Sequence, residues 1–142
     1  MLLGAPSSRP EAQEGGVTAV KRQVLVVSSE AANRRAIEEV TRAWMIDAII
    51  CSSLQESRAI LATHGVAAVF CEDHLTDGTY RDLLSIVPKV PVIVMVSDDK
   101  DESVDREALA LGALDVIGSP CSRQDVQWMI IRTIQDRSTG TR

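Results

Sequence analysis

The chain has 142 residues, which is enough for one domain with a hydrophobic core and too few for two domains of ordinary size. Its formal net charge of −5 argues against a basic surface for nucleic-acid phosphates, so no direct nucleic-acid partner is expected. No apolar run reaches the roughly 18 residues of a membrane span, and the N-terminus lacks the apolar stretch of a secretion signal. We expect a cytoplasmic domain with no membrane partner.

Three cysteines, Cys51, Cys71 and Cys121, each lie beside apolar residues. An odd number without a close pair is typical of a reducing compartment and predicts buried thiols.

The two ends of the chain carry no hydrophobic periodicity. Residues 1–20 contain Pro6, Pro10, Gly15 and Gly16, which predicts a disordered lead-in. Residues 21–136 are the predicted domain, and residues 137–142 are a predicted frayed tail.

The first predicted strand is Val24–Val27, an apolar run of the kind that helices cover on both faces. Ser28 or Ser29 is expected to cap the helix that follows, and Glu30 suits its positive N-terminal end. The residues with helical spacing that should face the core are Ala36, Ile37, Val40, Ala43 and Trp44.

Ala48–Cys51 is the second predicted strand. Ser53 and Glu56 have the spacing of a capping box, which predicts a helix to about Thr63 that ends at Gly65.

The third predicted strand is Val66–Cys71, followed by a loop from Glu72 to Gly78. Pro88 should end the short helix after the loop. The apolar stripe of that helix is Tyr80, Leu83, Leu84 and Val87.

Val90–Val96 is the fourth predicted strand, with Pro91 near its start, where a missing N–H is tolerated. After the acidic loop Asp98–Glu102, a helix is predicted from Ser103 to Leu111, with Gly112 as its end. Its inward residues are expected to be Val104, Ala108 and Leu111.

The fifth predicted strand is Leu114–Ile117. Ser122 and Asp125 again have capping-box spacing. The last helix should bury the face formed by Val126, Met129, Ile130 and Thr133, whereas Trp128 is either partly buried or part of a partner surface.

This alternation of strand and helix predicts an α/β fold: a single doubly wound (βα)5 three-layer sandwich, flavodoxin-like, with a parallel sheet of order 2-1-3-4-5. Ligands in such sheets bind at the carboxyl ends of the strands where the order reverses, here between strands one and three. The polar residues expected there are Ser28, Ser29, Glu30, Glu72, Asp73, Ser97 and Ser119.

Several segments together resemble the receiver domain of bacterial response regulators, over roughly residues 21–135. They are Val24–Ser29 with Arg34, Val69–Glu72 with Leu75–Gly78, Pro91–Ser97, and Leu111–Pro120. The resemblance implies a phosphoacceptor carboxylate after strand three, an acidic pair that holds Mg²⁺ after strand one, and a lysine before the proline that follows strand five. It also implies that the bond before that proline is usually cis.

The chain departs from the family at nearly all these positions. Ser28 and Ser29 stand where the acidic pair is expected, and neutral hydroxyls bind Mg²⁺ poorly. Ser119 replaces the lysine, and Thr76 replaces the loop proline. Val96, or Ser97 with a one-residue slip, occupies the strand-four hydroxyl position, and Val116 occupies the aromatic position on strand five.

Glu72 aligns with the phosphoacceptor, with Asp73 as the alternative acceptor. Glu72 is either a permanent mimic of the phosphorylated state or a solvated residue without that role. Because phosphoryl transfer depends on positioning and charge neutralisation, little such activity is expected. The prediction is a pseudo-receiver, without catalytic residues or cofactor, in bacterial two-component or phosphorelay signalling and transcription regulation.

Its partner, a protein or a second copy, is expected on the face of helix four, strand five and helix five, roughly Ser103–Ile117 and Arg123–Gln135. One alternative is a Mg²⁺-dependent phosphoacceptor domain that uses Asp73, with Glu30 as a metal ligand. A second alternative is a small-molecule-binding module in the emptied pocket.

Overall fold

The structure is a computed structural model that describes residues 22–86, 89–97 and 102–140, with side chains described through residue 133. The expectations for residues 1–20, Val87, Pro88 and Asp98–Asp101 lie outside this range. Seven strands and five helices follow in chain order: β1 Gln23–Val27, α1 Ala31–Ala43, β2 Asp47–Cys51, α2 Leu54–Thr63, β3 Ala68–Glu72, β4 His74–Leu75, β5 Gly78–Thr79, α3 Tyr80–Ile86, β6 Val92–Val96, α4 Glu102–Ala110, β7 Asp115–Gly118 and α5 Arg123–Gly140.

Five of these strands form one parallel sheet of order β2-β1-β3-β6-β7. Counted among the sheet strands alone, this is the predicted order 2-1-3-4-5, so the fold prediction is confirmed. The central strands β1, β3 and β6 are almost wholly buried, as expected when helices cover both faces.

Strand alternation divides the core between the two faces of the sheet. Leu25 and Val27 point toward the core cluster that contains residues of α2, α3 and α4, whereas Val24 and Val26 point toward the cluster that contains residues of α1 and α5. The two faces therefore have separate cores, and each strand contributes alternate residues to each.

Some details of the helices differ from the sequence analysis. The N-cap of α1 is Glu30, without a side-chain capping bond, so neither Ser28 nor Ser29 caps the helix. Ala43 is exposed and Trp44 is 37% exposed, because the last buried residue of α1 is Thr41. The Thr41 hydroxyl donates to Ile37 O within the helix.

Two later helices differ as well. Leu111 lies beyond the end of α4 and is 49% exposed rather than buried. Helix α5 extends to Gly140, into the predicted tail of residues 137–142.

The predictions of two helix caps, of buried cysteines and of the buried face of α5 are confirmed. Ser53 accepts from Glu56 N and Ser122 accepts from Asp125 N, as capping residues do. The three cysteines are free and buried, and the face Val126, Met129, Ile130 and Thr133 of α5 is buried. Among the described residues, no helix is long and apolar enough to cross a membrane.

The predicted loop after β3 contains a small antiparallel hairpin of β4 and β5. Its turn residue Asp77 accepts from Leu54 N at 2.7 Å and from Gln55 N at 2.9 Å, so the hairpin tip is bound to the N-terminus of α2. At Gly78, an added Cβ would lie 2.7 Å from Asp82 Oδ2, so any larger residue at this position would require the Asp82 side chain to shift.

Candidate functional site

The carboxyl ends of β1, β3 and β7 meet beside the first turn of α1, and four polar side chains lie there. Ser28 follows β1, Glu72 ends β3, Ser119 follows β7, and Asn33 comes from α1. We call Ser28, Asn33, Glu72 and Ser119 the polar cluster. The sequence predicts Ser28, Glu72 and Ser119 at this edge but not Asn33.

Strand alternation brings these side chains to one side of the sheet. Ser28, Glu72 and Ser119 are each two residues beyond a residue of the α1/α5 core, namely Val26, Phe70 and Ile117. The backbone therefore directs all three toward α1.

The Glu72 carboxylate receives two hydrogen bonds within the cluster. The Ser28 hydroxyl donates to Glu72 Oε2, and Asn33 Nδ2 donates to the same oxygen at 3.1 Å. Glu72 is thus a half-buried acceptor that is bound to neighbouring side chains.

Asn33 connects the cluster to the end of the sheet. It is fully buried, and its Nδ2 also donates to Ser119 Oγ at 2.9 Å. Its Oδ1 accepts from Cys121 N at 2.7 Å. One amide side chain therefore links β3 to the turn between β7 and α5, which is consistent with the rule that buried polar groups find hydrogen-bond partners.

Ser28 is held by its backbone as well as by its side chain. Its N–H donates to Cys51 O at 2.9 Å, and its carbonyl oxygen accepts from Arg34 Nε at 2.6 Å. Its hydroxyl also accepts from Glu30 N at 3.0 Å. These bonds fix the chain between β1 and α1.

Other predicted site residues lie elsewhere. Ser29, Glu30 and Ser97 are exposed. Val96 points to the same side of the sheet as Val94. It packs in the core there, on the side opposite the polar cluster. The Ser119–Pro120 peptide bond is cis.

Asp73 has a separate environment. Its side chain is 10% exposed, and its carboxylate accepts from the backbone N–H of His74 at 3.1 Å. The nearby His74 Nε2 lies 3.7 Å from Asp73 Oδ2. One residue beyond Glu72, Asp73 is directed away from the polar cluster by the alternation of the chain.

The residues at this edge do not fit the Mg²⁺ that the family resemblance implies. Glu72 is the single carboxylate of the cluster, and the groups around it, the Ser28 hydroxyl and the Asn33 amide, both donate hydrogens to it. A hard cation requires several oxygen ligands instead. Among the described residues, no group of three or more His, Cys, Asp or Glu side chains is arranged to hold a metal ion.

Burial disfavours the reactive thiolate form of the two thiols near the site. Burial raises the pKa of Cys121 to about 11, with smaller contributions from the charges of Asp125 and Glu72. Burial and the charge of Glu72 also raise the pKa of Cys71. Both thiols are therefore protonated at neutral pH, and the thiolate is the reactive form.

No family model matches the chain, and no curated protein matches its sequence. Solved structures are nevertheless similar. A response regulator receiver domain protein from Methanospirillum hungatei has a TM-score of 0.75 at 16% identity, covering 85% of this chain and 99% of that chain. A response regulator receiver protein from Pseudomonas putida has a TM-score of 0.68 at 22% identity, covering 80% of this chain and 98% of that one.

A third similar structure is the receiver domain of a Saccharomyces cerevisiae response regulator, crystallised with a histidine phosphotransfer signaling protein. Its TM-score is 0.64 at 16% identity, and the match covers 75% of this chain and 83% of that chain. These similarities match the sheet order and the five helices described above. The chain therefore has the fold of response-regulator receiver domains.

Proposed function

We propose that this chain is an atypical receiver domain of bacterial two-component or phosphorelay signalling that is not phosphorylated. In this proposal it is a non-catalytic cytoplasmic module that binds a protein partner or a second copy. The observation that carries the proposal is the hydrogen bonding of Glu72, whose carboxylate accepts from the Ser28 hydroxyl and the Asn33 amide.

The polar cluster lacks the charges that phosphoryl transfer needs. A phosphoacceptor site must neutralise the transferred group with a metal ion and a cation, and must hold an acceptor oxygen free for attack. Here Ser28 replaces a metal ligand, the hydroxyl of Ser119 accepts from Asn33, and Glu72 accepts two bonds.

The Asp73 alternative receives less support. Its carboxylate is largely buried and bonded to His74 N, and the potential metal ligand Glu30 is exposed at the N-cap of α1. The small-molecule alternative also lacks a supporting observation at this edge, because the fully buried Asn33 side chain connects the polar groups there.

The α4–β7–α5 face is the proposed interaction surface. It carries Leu109 of α4, which is 49% exposed, and Trp128 of α5, which is 57% exposed. Asp115 and Arg132 form an ion pair of 2.6 Å between β7 and α5. Exposed aromatic residues and arginine are enriched at protein interfaces, which supports a protein partner here.

Phosphorylation is tested by incubating the protein with Mg²⁺ and acetyl phosphate and measuring its intact mass. We expect no phosphoryl adduct, and we expect beryllofluoride with Mg²⁺ to leave Trp fluorescence unchanged. A phosphorylatable receiver domain in the same mixture is the positive control. A Mg²⁺-dependent adduct on Glu72 or Asp73 would refute the proposal.

A matched variant sharpens the test. Ser28→Asp, Ser29→Asp, Glu72→Asp and Ser119→Lys together return the carboxylates and the cation that the family resemblance implies. If the missing charges are the cause, the variant acquires an adduct under conditions in which the wild-type protein acquires none.

A further inference from the structure

A second polar group lies on the other side of the sheet, where α3 meets α4. Tyr80 OH donates to Glu107 Oε1 at 2.5 Å. Arg81 donates to both oxygens of the same carboxylate, through Nε at 2.9 Å and Nη2 at 2.7 Å, and its guanidinium lies 5.1 Å from the centre of the Tyr80 ring. We call Tyr80, Arg81 and Glu107 the α3–α4 clamp.

The clamp is anchored in the core. Tyr80 is 1% exposed, and its ring belongs to the same core cluster as Leu83 and Ala108. Its hydroxyl reaches the α4 carboxylate, and two-point binding of that carboxylate by an arginine fixes its orientation as well as its position. The clamp therefore restrains α4 more specifically than apolar contact would.

The clamp is also connected to the segment that follows Glu72. Asp73 N donates to Met95 O at 2.9 Å, and Tyr80 N donates to Asp73 O at 3.3 Å. Between these points, the hairpin is held to α2 by Asp77 and to α3 by the bond from Thr79 N to Asp82 Oδ2. A displacement of Glu72 therefore has a short, bonded path through Asp73 and Tyr80 to α4.

We propose that the α3–α4 clamp couples the segment after Glu72 to helix α4 and thereby sets the position of α4 in the α4–β7–α5 face. This inference rests on the interaction face of the proposed function.

The test is a double-mutant cycle read by amide hydrogen exchange of α4. Tyr80→Phe removes the hydroxyl donor, and Glu107→Gln removes the charge and one acceptor oxygen. Because the Arg81–Glu107 pair is partly exposed, the two changes together should speed exchange in α4 about threefold to fivefold. Glu72→Gln should change α4 exchange in the wild-type background and have no effect on it in the Tyr80→Phe, Glu107→Gln background.

A purely structural clamp gives a different result. Glu72→Gln would then have the same effect on α4 exchange in both backgrounds, and that outcome would overturn the proposal. An absence of any effect of Glu72→Gln on α4 in the wild-type background would overturn it as well. Arg81→Met, which removes the bonds from Arg81 while leaving Tyr80 intact, repeats the test if the double variant does not fold.

Glu39→Gln is the matched control, because it removes a comparable exposed ion pair, Arg123 to Glu39 at 3.3 Å, between α1 and α5. The response of α4 to Glu72→Gln should survive in that background. The cycle is independent of the phosphorylation test. An adduct on the wild-type protein would refute the proposed function, whereas an equal effect of Glu72→Gln in both backgrounds would refute only the clamp.

Discussion

Asn33 is the residue on which the geometry of the polar cluster depends. We expect Asn33→Ala to lower the free energy of unfolding by about 2–3 kcal/mol, because it leaves the buried N–H of Cys121 without its acceptor and removes a donor from Glu72. Urea denaturation measures the change. Ser29→Ala, on an exposed neighbour, is the control and should alter stability by less than about 0.5 kcal/mol.

The sequence predicted three of the four residues of the cluster, since Ser28, Glu72 and Ser119 follow predicted strands. It contained a signal for the fourth as well. Asn33 precedes Ala36 and Ile37 by three and four positions, so it shares their buried helix face, and a polar residue on such a face needs a partner. The partner itself lies 39 or 86 residues away in sequence, and helical spacing does not specify contacts at that distance.

At the scale of elements, α1 and α4 end in the same Schellman motif with different residues. After α1, Met45 N donates to Arg42 O and Ile46 N donates to Thr41 O. After α4, Gly112 N donates to Leu109 O and Ala113 N to Ala108 O. The motif needs a positive φ at its central residue, and the values are 58° at Met45 and 110° at Gly112.

Met45→Gly should therefore stabilise the domain. Met45 is 90% exposed, so little packing is lost, and glycine removes the cost of a left-handed conformation. Glycine loses more backbone conformational entropy on folding than methionine does, but the cost of the left-handed conformation exceeds that loss by about 0.5–1 kcal/mol. A rise in the thermal unfolding midpoint is the expected result, and a fall would contradict this explanation.

Gly112→Ala should have the opposite effect. An added Cβ meets no atom within 4 Å, so the strain of the backbone is the whole of the expected cost, about 1–2 kcal/mol. Packing is nearly unchanged in both variants. Comparing the thermal unfolding midpoints of Met45→Gly and Gly112→Ala therefore isolates the free-energy cost of a positive φ at a residue other than glycine. Equal midpoints for Gly112→Ala and the wild-type protein would show that the positive φ at residue 112 does not strain an alanine.

The sequence also predicted the presence and type of the strands and helices better than the residues at which they end. The five strands follow from apolar runs and the helices from periodicity and caps, because both signals are local. Trp44 and Leu111 continue the apolar patterns of their helices, which predicts that they face inward, but each lies at the turn where its helix has already ended. The sequence does not predict the hydrogen bonds that Leu54 N and Gln55 N donate to the Asp77 carboxylate either, since they join residues more than twenty positions apart.

For the whole molecule, the dependence of stability on acid pH follows from carboxylates that join elements. Hydrogen bonds from Arg81 and Tyr80 lower the pKa of Glu107 to about 2, and the bonds from Leu54 N and Gln55 N lower the pKa of Asp77. A lowered folded-state pKa stabilises the domain above the unfolded-state pKa and loses that effect as pH falls. We expect the urea midpoint to fall between about pH 4.5 and pH 2, with a shallower fall in Glu107→Gln.

The alkaline limit has a different origin, in buried groups that must stay protonated. Burial raises the pKa of Cys51 and of Cys121 from 9.0 to about 11, and burial with the bond to Glu107 raises the pKa of Tyr80 from 10.0 to about 12. A raised folded-state pKa stabilises the domain fully below the unfolded-state value and loses that effect as pH rises through the folded-state value. The urea midpoint should therefore decline from about pH 9 upward. Cys51→Ala should make the decline shallower, whereas a midpoint that stays constant to pH 11 in the wild-type protein would contradict the assignment of these thiols to the core.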